Sequence, residues 1–308
     1  MTILSIIIPV YNSSSCLEDA LKSVVIQNLD SYEIIVVDDG STKEEHYACI
    51  DICKQYANTK LVTKENGGAA SARNFGAKKA RGILLAFLDS DDVWLKNKIL
   101  SQIGYLKTQN ADLVLGNIIV TDYFLNAKYK ASKKISKNKY SLIKDLFYGK
   151  VIMNTPTILV TKDMFIRVGG FDESLKYRED HSFLIDVVGN GNGKIVLDPA
   201  YNTLRREREN SLSSVCDIYS ELDKHMPFWL KFEKKYSFLI TKKARKKLLS
   251  SLCLYYIRNE RDADIKETLR CLKNDSYFLY LCYRLLTNSS SILSLLYTLR
   301  NKLRNAAF

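Results

Sequence analysis

Five short apolar runs, at residues 3–10, 33–37, 60–63, 83–88 and 112–115, recur along the start of the chain with helix-periodic stretches between them. Runs this short read as buried strands, whereas Leu17, Leu21, Val24 and Val25, and likewise Tyr47, Ile50 and Tyr56, share a helical face. Strands alternating with helices imply a mostly parallel sheet with flanking helices on both faces, because parallel strands need crossovers and those crossovers cover the sheet. The pattern predicts an α/β architecture.

A second block holds a strand-like run at 156–160, the turn Gly169-Gly170, a helical patch at 181–188 and a short strand at 194–197. Beyond Ser214 the pattern is helical, with Leu248, Leu252, Tyr255 and Tyr256 three or four apart. A boundary near 215 separates residues 1–215 from a basic, aromatic-rich region at 216–308. Of the net charge of +12, that last region carries +9, from 18 Lys/Arg against 9 Asp/Glu, and the rest only +3. Such a bias fits either an anionic partner, such as a membrane surface, or a solvated helix face.

The seven cysteines form neither Cys-x-x-Cys pairs nor a Cys/His group, which argues against a zinc site or a disulfide framework and for a reduced, cytoplasmic protein. The run at 3–10 lacks a basic leader and is broken by Pro9, so it reads as a strand. No later stretch approaches the roughly 18 apolar residues that a spanning helix needs. Charge alone would allow nucleic-acid binding, but no recognisable module accompanies it and none is expected.

The strand ends carry the chemistry. Run 83–88 leads into Asp89-Ser90-Asp91-Asp92, whose crowded carboxylates repel one another unless a cation sits among them. A solvated turn or helix cap is the other reading. The first strand ends in Pro9-Val10-Tyr11-Asn12 ahead of a helix with Glu18, and the second in Asp38-Asp39-Gly40-Ser41-Thr42. Open α/β sheets bind ligands at such carboxyl ends, where an Asp accepts from base or ribose and Tyr11 covers a base face. Asp39-Gly40-Ser41 also fits a plain turn and N-cap. After strand three, Asn66-Gly67-Gly68 lets backbone approach a ligand, and Arg73 one turn on can meet a phosphate or hold the Asp cluster. No Gly-Lys-Ser/Thr follows, so this is not a P-loop.

In this order the pieces resemble the family 2 glycosyltransferases with the GT-A fold, of bacterial surface-polysaccharide type. The resemblance runs through Pro9-Val10-Tyr11-Asn12, Val36-Val37-Asp38-Asp39-Gly40-Ser41, Asn66-Gly67-Gly68, Ala72-Arg73-Asn74-Phe75-Gly76, Phe87-Leu88-Asp89-Ser90-Asp91-Asp92, Gly169-Gly170-Phe171-Asp172 and Glu179-Asp180. It covers about residues 1 to 215 and implies a nucleotide-binding half, about 1–115, joined to an acceptor-binding half, about 116–215.

The implied activity is inverting transfer of one sugar from a UDP-sugar to a glycan acceptor. Pro9, Tyr11, Asn12, Glu18, Asp39, Asn66, Gly67, Arg73, Asp89 and Ser90 would meet the donor, and Asp91, with Asp89, a Mn²⁺ or Mg²⁺ ion. Asp92 is expected to be structural. Asp180 would be the general base, with Glu179 on the acceptor side; both are also ordinary first-turn helix acids. Arg206, in the stretch 204–213, fits the register of a basic residue closing over the diphosphate. Between His181 and His225 there is no His to complete a metal site; His181 could substitute, although a lone His after an acidic pair is more often a local hydrogen-bond partner. Trp94 suits either the pocket wall or helix packing. The basic tail suggests a lipid-linked acceptor and peripheral attachment to the inner face of the cell membrane. Two alternatives stand beside this: a nucleotidyltransferase, disfavoured because the loop Tyr-Asn-Ser-Ser-Ser lacks a basic residue, and a non-catalytic nucleotide- or glycan-binding protein.

Overall fold

The computed structural model describes residues 4–207 and 218–240, with Arg270 and Lys273. Its contacts divide the chain into two units, Met1–Cys216 and Asp217–Phe308. The first begins β1 Leu4–Val10, α1 Ser14–Val25, β2 Tyr32–Asp38, α2 Lys43–Cys53, β3 Thr59–Thr63, α3 Gly68–Lys79, β4 Leu84–Phe87. It continues β5 Val93–Trp94, α4 Lys98–Thr108, β6 Leu113–Thr121, β7 Ala127–Ala131, α5 Lys139–Phe147, β8 Leu159–Thr161, α6 Lys162–Arg167, α7 Glu179–Gly189 and β9 Ile195–Arg206. In the second unit, α8 Ile218–Tyr236 contains Pro227. The tail periodicity around Leu248 to Tyr256 lies outside the described residues.

The described strands form one mixed sheet in the order β3-β2-β1-β4-β8-β6-β9-β5, with β7 on β6. Its longest ladders are parallel (β1–β2, β2–β3 and β6–β9), and shorter antiparallel ones join the two halves. Helices flank this sheet, as the alternation predicted. On one side Ile6, Ile8, Ile34 and Val36 pack with Leu17 and Leu21 of α1. On the other, α3 approaches so closely that a β-carbon on Gly76 would stand 2.5 Å from Ile7 Cγ2 and 3.0 Å from Val37 Cγ2. Only a residue without a side chain fits there.

The chain order runs from β1 outward to β3 and returns to β4 on β1's other side, which places a switch point between β1 and β4. β4 pairs with β1 only as far as Ile7, whose carbonyl accepts from the Leu88 N–H at 3.0 Å. Pro9, two residues on, presents the same edge of the strand where no β4 partner remains. A missing N–H therefore costs nothing, which explains a proline in a central strand.

Several elements differ from their predicted spans. Ile83 is 60% exposed, and β4 starts one residue later. The run at 112–115 is the start of β6, which continues to Thr121 through an irregular register at Asn117. The expected strand at 156–160 opens as a 3₁₀ turn, Thr155–Thr157. In α2 the buried face is made by Cys49 and Cys53, while Tyr47 is 64% exposed. Burial pushes those thiols up to about 12 and about 11, so they behave as small apolar side chains.

Candidate active site

The carboxyl ends of β1, β2 and β4 meet the N-termini of α3 and α7. Val10 accepts from the Asp39 N–H at 2.9 Å, which ties the two strand tips together. Beyond Val10, Asn12 takes a left-handed conformation, with φ of 47°. Its N–H donates to Ser41 Oγ at 3.0 Å, and its side-chain oxygen accepts from the Thr42 N–H at 2.9 Å. Tyr11 is left exposed beside this locked turn. Ser13 and Ser90 share a hydroxyl hydrogen bond of 2.9 Å, which joins the first-strand loop to the Asp cluster.

Both acids at the tip of β2 are buried. Asp38 accepts from the Ser41 N–H at 3.0 Å and lies 2.6 Å from His46 Nδ1. Asp39 receives Lys64 Nζ at 2.7 Å, the Gly67 N–H at 3.1 Å and the Gly68 N–H at 2.7 Å. It thereby positions the Asn66-Gly67-Gly68 loop at the start of α3. Gly40, at φ +77°, allows the close pass: a β-carbon there would lie 2.8 Å from the Asn66 nitrogen.

Arg73 is the joint of the site. Nearly buried, its guanidinium donates to Asp89 Oδ1 at 2.6 Å and to Glu179 Oε1 at 3.0 Å, and it lies 5.6 Å from the Phe171 ring centroid. One planar fork thus draws together the end of β4 and the first turn of α7, two segments far apart in sequence. Neighbouring Asn74 exchanges hydrogen bonds with the Phe171 backbone at 2.8 and 2.9 Å and donates to Glu173 at 2.9 Å. Phe171 packs among Phe87, Phe165 and Phe183. Gly170 has to lack a side chain, since a β-carbon would meet Asn74 Oδ1 at 2.6 Å.

At α7, Asp180 Oδ1 accepts from the His181 backbone N–H at 2.6 Å and lies 2.9 Å from His181 Nδ1. Burial opposes the charge on Asp180, but His181 and Arg73 hold its carboxyl below the usual range. Glu179 moves the other way, pushed up by burial and by Asp180 despite Arg73. Asp180 is therefore an ionised acceptor at neutral pH, with Oδ2 as the oxygen not committed to His181.

In the Asp cluster, burial followed by the charges of Asp91 and Asp89 holds the Asp92 carboxyl well above its ordinary range. That crowding, on hard oxygen donors, suits a divalent cation such as Mg²⁺ or Mn²⁺. Among the described residues no group of three or more His, Cys, Asp or Glu side chains converges as a metal cage. Asp89 already bonds Arg73, and Asp92 Oδ1 accepts the Arg206 N–H at 2.9 Å. With these two acids partly committed, such an ion would draw part of its coordination from phosphate and water.

Some predicted residues sit elsewhere than expected. Arg206 is buried at the end of β9, with its guanidinium 2.8 Å from Asp19 and 3.5 Å from Cys16 Sγ. It braces α1 against β9, because that strand runs on through Arg206 instead of ending near 197. Residues 208–213 of the expected loop lie outside the described residues. Glu18 pairs with Lys22 at 2.8 Å on the exposed side of α1, while its neighbour Asp19 faces Arg206. Trp94 is fully buried and donates to the Pro156 carbonyl at 2.8 Å, so packing is its role. Sequence reasoning missed Lys64, Asp19 and Asn74, ordinary polar side chains whose partners only the fold brings near. Asn74 alone carried a signal, as part of the stretch Ala72-Arg73-Asn74-Phe75-Gly76.

A parallel half-sheet with an open switch point, an acidic strand end and a second acidic pair bridged by one arginine define a nucleotide-type α/β transfer site. The chain belongs to Glycosyl transferase family 2, which matches residues 5–169. It is 30% identical over 274 residues to an uncharacterized glycosyltransferase of Rickettsia prowazekii, covering 83% of this chain and 80% of that one. It is also 30% identical to UDP-Glc:alpha-D-GlcNAc-diphosphoundecaprenol beta-1,3-glucosyltransferase WfgD of Escherichia coli, over 62% of this chain and 71% of that protein. In fold it is similar to S. aureus TarS 1–349 in complex with UDP-GlcNAc, with a TM-score of 0.59, 17% identity, and 89% and 91% of the two chains covered. Against another S. aureus TarS structure it covers 92% of itself but only 55% of that chain. GalNAc-T7 with UDP, GalNAc and Mn²⁺ matches at a TM-score of 0.52 and 18% identity, over 68% of this chain and 44% of that one.

Proposed function

We propose that this glycosyltransferase moves one sugar from a UDP-sugar to a glycan acceptor with inversion, in bacterial surface-polysaccharide synthesis. The observation that carries the reading is Arg73, which holds Asp89 and Glu179 on one guanidinium and so joins the donor-side acids to the acceptor-side pair. TarS structures hold UDP and UDP-GlcNAc, which supports a UDP-sugar donor. The name of WfgD supports an acceptor carried on a lipid diphosphate.

Tyr11 covers the base, and the loop that Asp39 anchors at Gly67-Gly68 sets the floor of the nucleotide pocket. Asp91, with Asp89 oriented by Arg73, would hold Mn²⁺ or Mg²⁺, which when bound neutralises charge on the departing diphosphate. Asp180 Oδ2 takes the proton of the acceptor hydroxyl as that oxygen attacks the anomeric carbon and the nucleoside diphosphate leaves. His181 fixes Oδ1 and with it the direction in which Oδ2 points. Glu179, tied to Arg73, lines the acceptor side. Among the described residues no helix is long and apolar enough to cross a membrane. The enzyme would meet a lipid-linked acceptor as a peripheral protein at the membrane's inner face.

Thermal unfolding of the purified chain with a panel of UDP-sugars, with and without Mn²⁺, tests the donor. A true donor at a hundred times its Kd adds about 2.7 kcal/mol of apparent stability. Asp180→Asn should keep that shift while losing roughly 10²- to 10⁴-fold in transfer. Full activity in the variant, or no shift with any UDP-sugar, refutes the assignment.

A further inference from the structure

We propose that the β6–β7 hairpin is a membrane-docking tip that inserts Tyr123 and Phe124 among the headgroups of an anionic lipid surface. Its loop is preformed. Asp122 Oδ1 accepts from the Phe124 and Asn126 N–H groups at 2.9 Å each, and Oδ2 from the Asn126 amide at 2.9 Å. These bonds hold the Asp122 carboxyl below its usual range and turn its charge into the loop. What faces outward is aromatic: Phe124 is 80% exposed, Tyr123 46% and Tyr129 54%. Tyr123 and Phe124 stand edge to face with centroids 5.5 Å apart, forming a small wedge.

The surroundings are cationic. Lys128 and Lys130 on β7 are exposed; Lys128 lies 3.0 Å from Glu207, and Lys130 Nζ stands 5.3 Å from the Tyr201 ring centroid. An apolar wedge with lysines around it matches the interface of an anionic bilayer, where aromatic rings sit at headgroup level. A protein partner fits less well, because a five-residue loop is far from the roughly 800 Å² per side of a standard interface. The tip also connects to the site. Tyr123 lies 5.4 Å beneath the Arg206 guanidinium, and the Arg206 N–H bonds Asp92. Docking the hairpin would therefore fix the orientation of the Asp cluster relative to the membrane. The proposal rests on the preceding reading only in expecting a lipid-carried acceptor.

Sedimentation of the full chain with phosphatidylcholine vesicles, with or without phosphatidylglycerol, tests the idea. The native chain should bind the anionic vesicles in a salt-sensitive way. The double variant Tyr123→Ser/Phe124→Ser should bind on the order of tenfold more weakly, and Lys128→Gln/Lys130→Gln should lose part of the preference for phosphatidylglycerol. Phe124→Trp should show blue-shifted emission on these vesicles. Native-like binding by the serine variant, with no Trp shift, would assign any attachment to other surfaces and overturn the proposal. So would a serine variant whose only defect is a raised KM for a soluble glycan acceptor. A UDP thermal shift on the same samples keeps the two readings apart: its loss would refute the transferase site and leave the vesicle result intact.

Discussion

Replacing Arg73 with Met removes the one cation between Asp89 and Glu179 while keeping most of the side chain's volume. Both hydrogen bonds, at 2.6 and 3.0 Å, are charge-assisted, and the guanidinium is nearly buried. Taking one partner from a buried pair leaves uncompensated charge and costs about 3–5 kcal/mol. In a unit of this size that lowers the melting temperature by roughly 10 °C. The pH dependence has a definite sign. Glu179 already titrates above its ordinary value, held up by burial and Asp180, with Arg73 pulling it down. Without Arg73 its folded pKa rises further, and a carboxyl raised in the folded state costs stability as pH climbs past its unfolded value. The variant should therefore lose more stability at pH 8 than at pH 5, and adding Glu179→Gln should restore part of the loss. Urea unfolding of both variants across that range is the assay. A cost under about 1 kcal/mol at neutral pH, typical of a surface pair, or a cost independent of pH, would show that Arg73 does not hold the acids together.

Gly76→Ala places a β-carbon 2.5 Å from Ile7 Cγ2, so despite better helix propensity the variant should lose about 1–2 kcal/mol in chemical denaturation. Lys133 donates to the Gly116 carbonyl at 2.6 Å, and burial lowers its pKa from 10.5 to about 7. The unfolded chain then binds the extra proton between those two pH values, so native stability should rise with pH across that window, by roughly 5 kcal/mol at most. Lys133→Met should flatten that rise, and a native profile that is already flat would contradict the burial argument.

The fold was legible because its signal is local. Uninterrupted apolar runs such as 34–37 suit strands buried on both faces, and helical stripes suit the crossovers. Spans failed where register depends on partners. β9 continues through Pro199 to Arg206 because it pairs along β6 and with β5. The buried stripe of α2 passed to Cys49 and Cys53, which apolar counting had overlooked in favour of Tyr47. Arg206 fits the register of a basic residue closing over the diphosphate, but the extension of β9 sets it against Asp19.

The sequence by itself determined which residue types stand at each strand end, since carboxylates after an apolar run must lie at a sheet's edge, and their order already resembled one family. Only the tertiary structure decided which of those acids act as neighbours. Asp89 and Glu179 are separated by most of the fold, and they meet because β8 closes the sheet between β4 and β6 while α7 returns beside α3. Pairing of that kind depends on the direction and distance of side chains in space, quantities that sequence spacing does not carry.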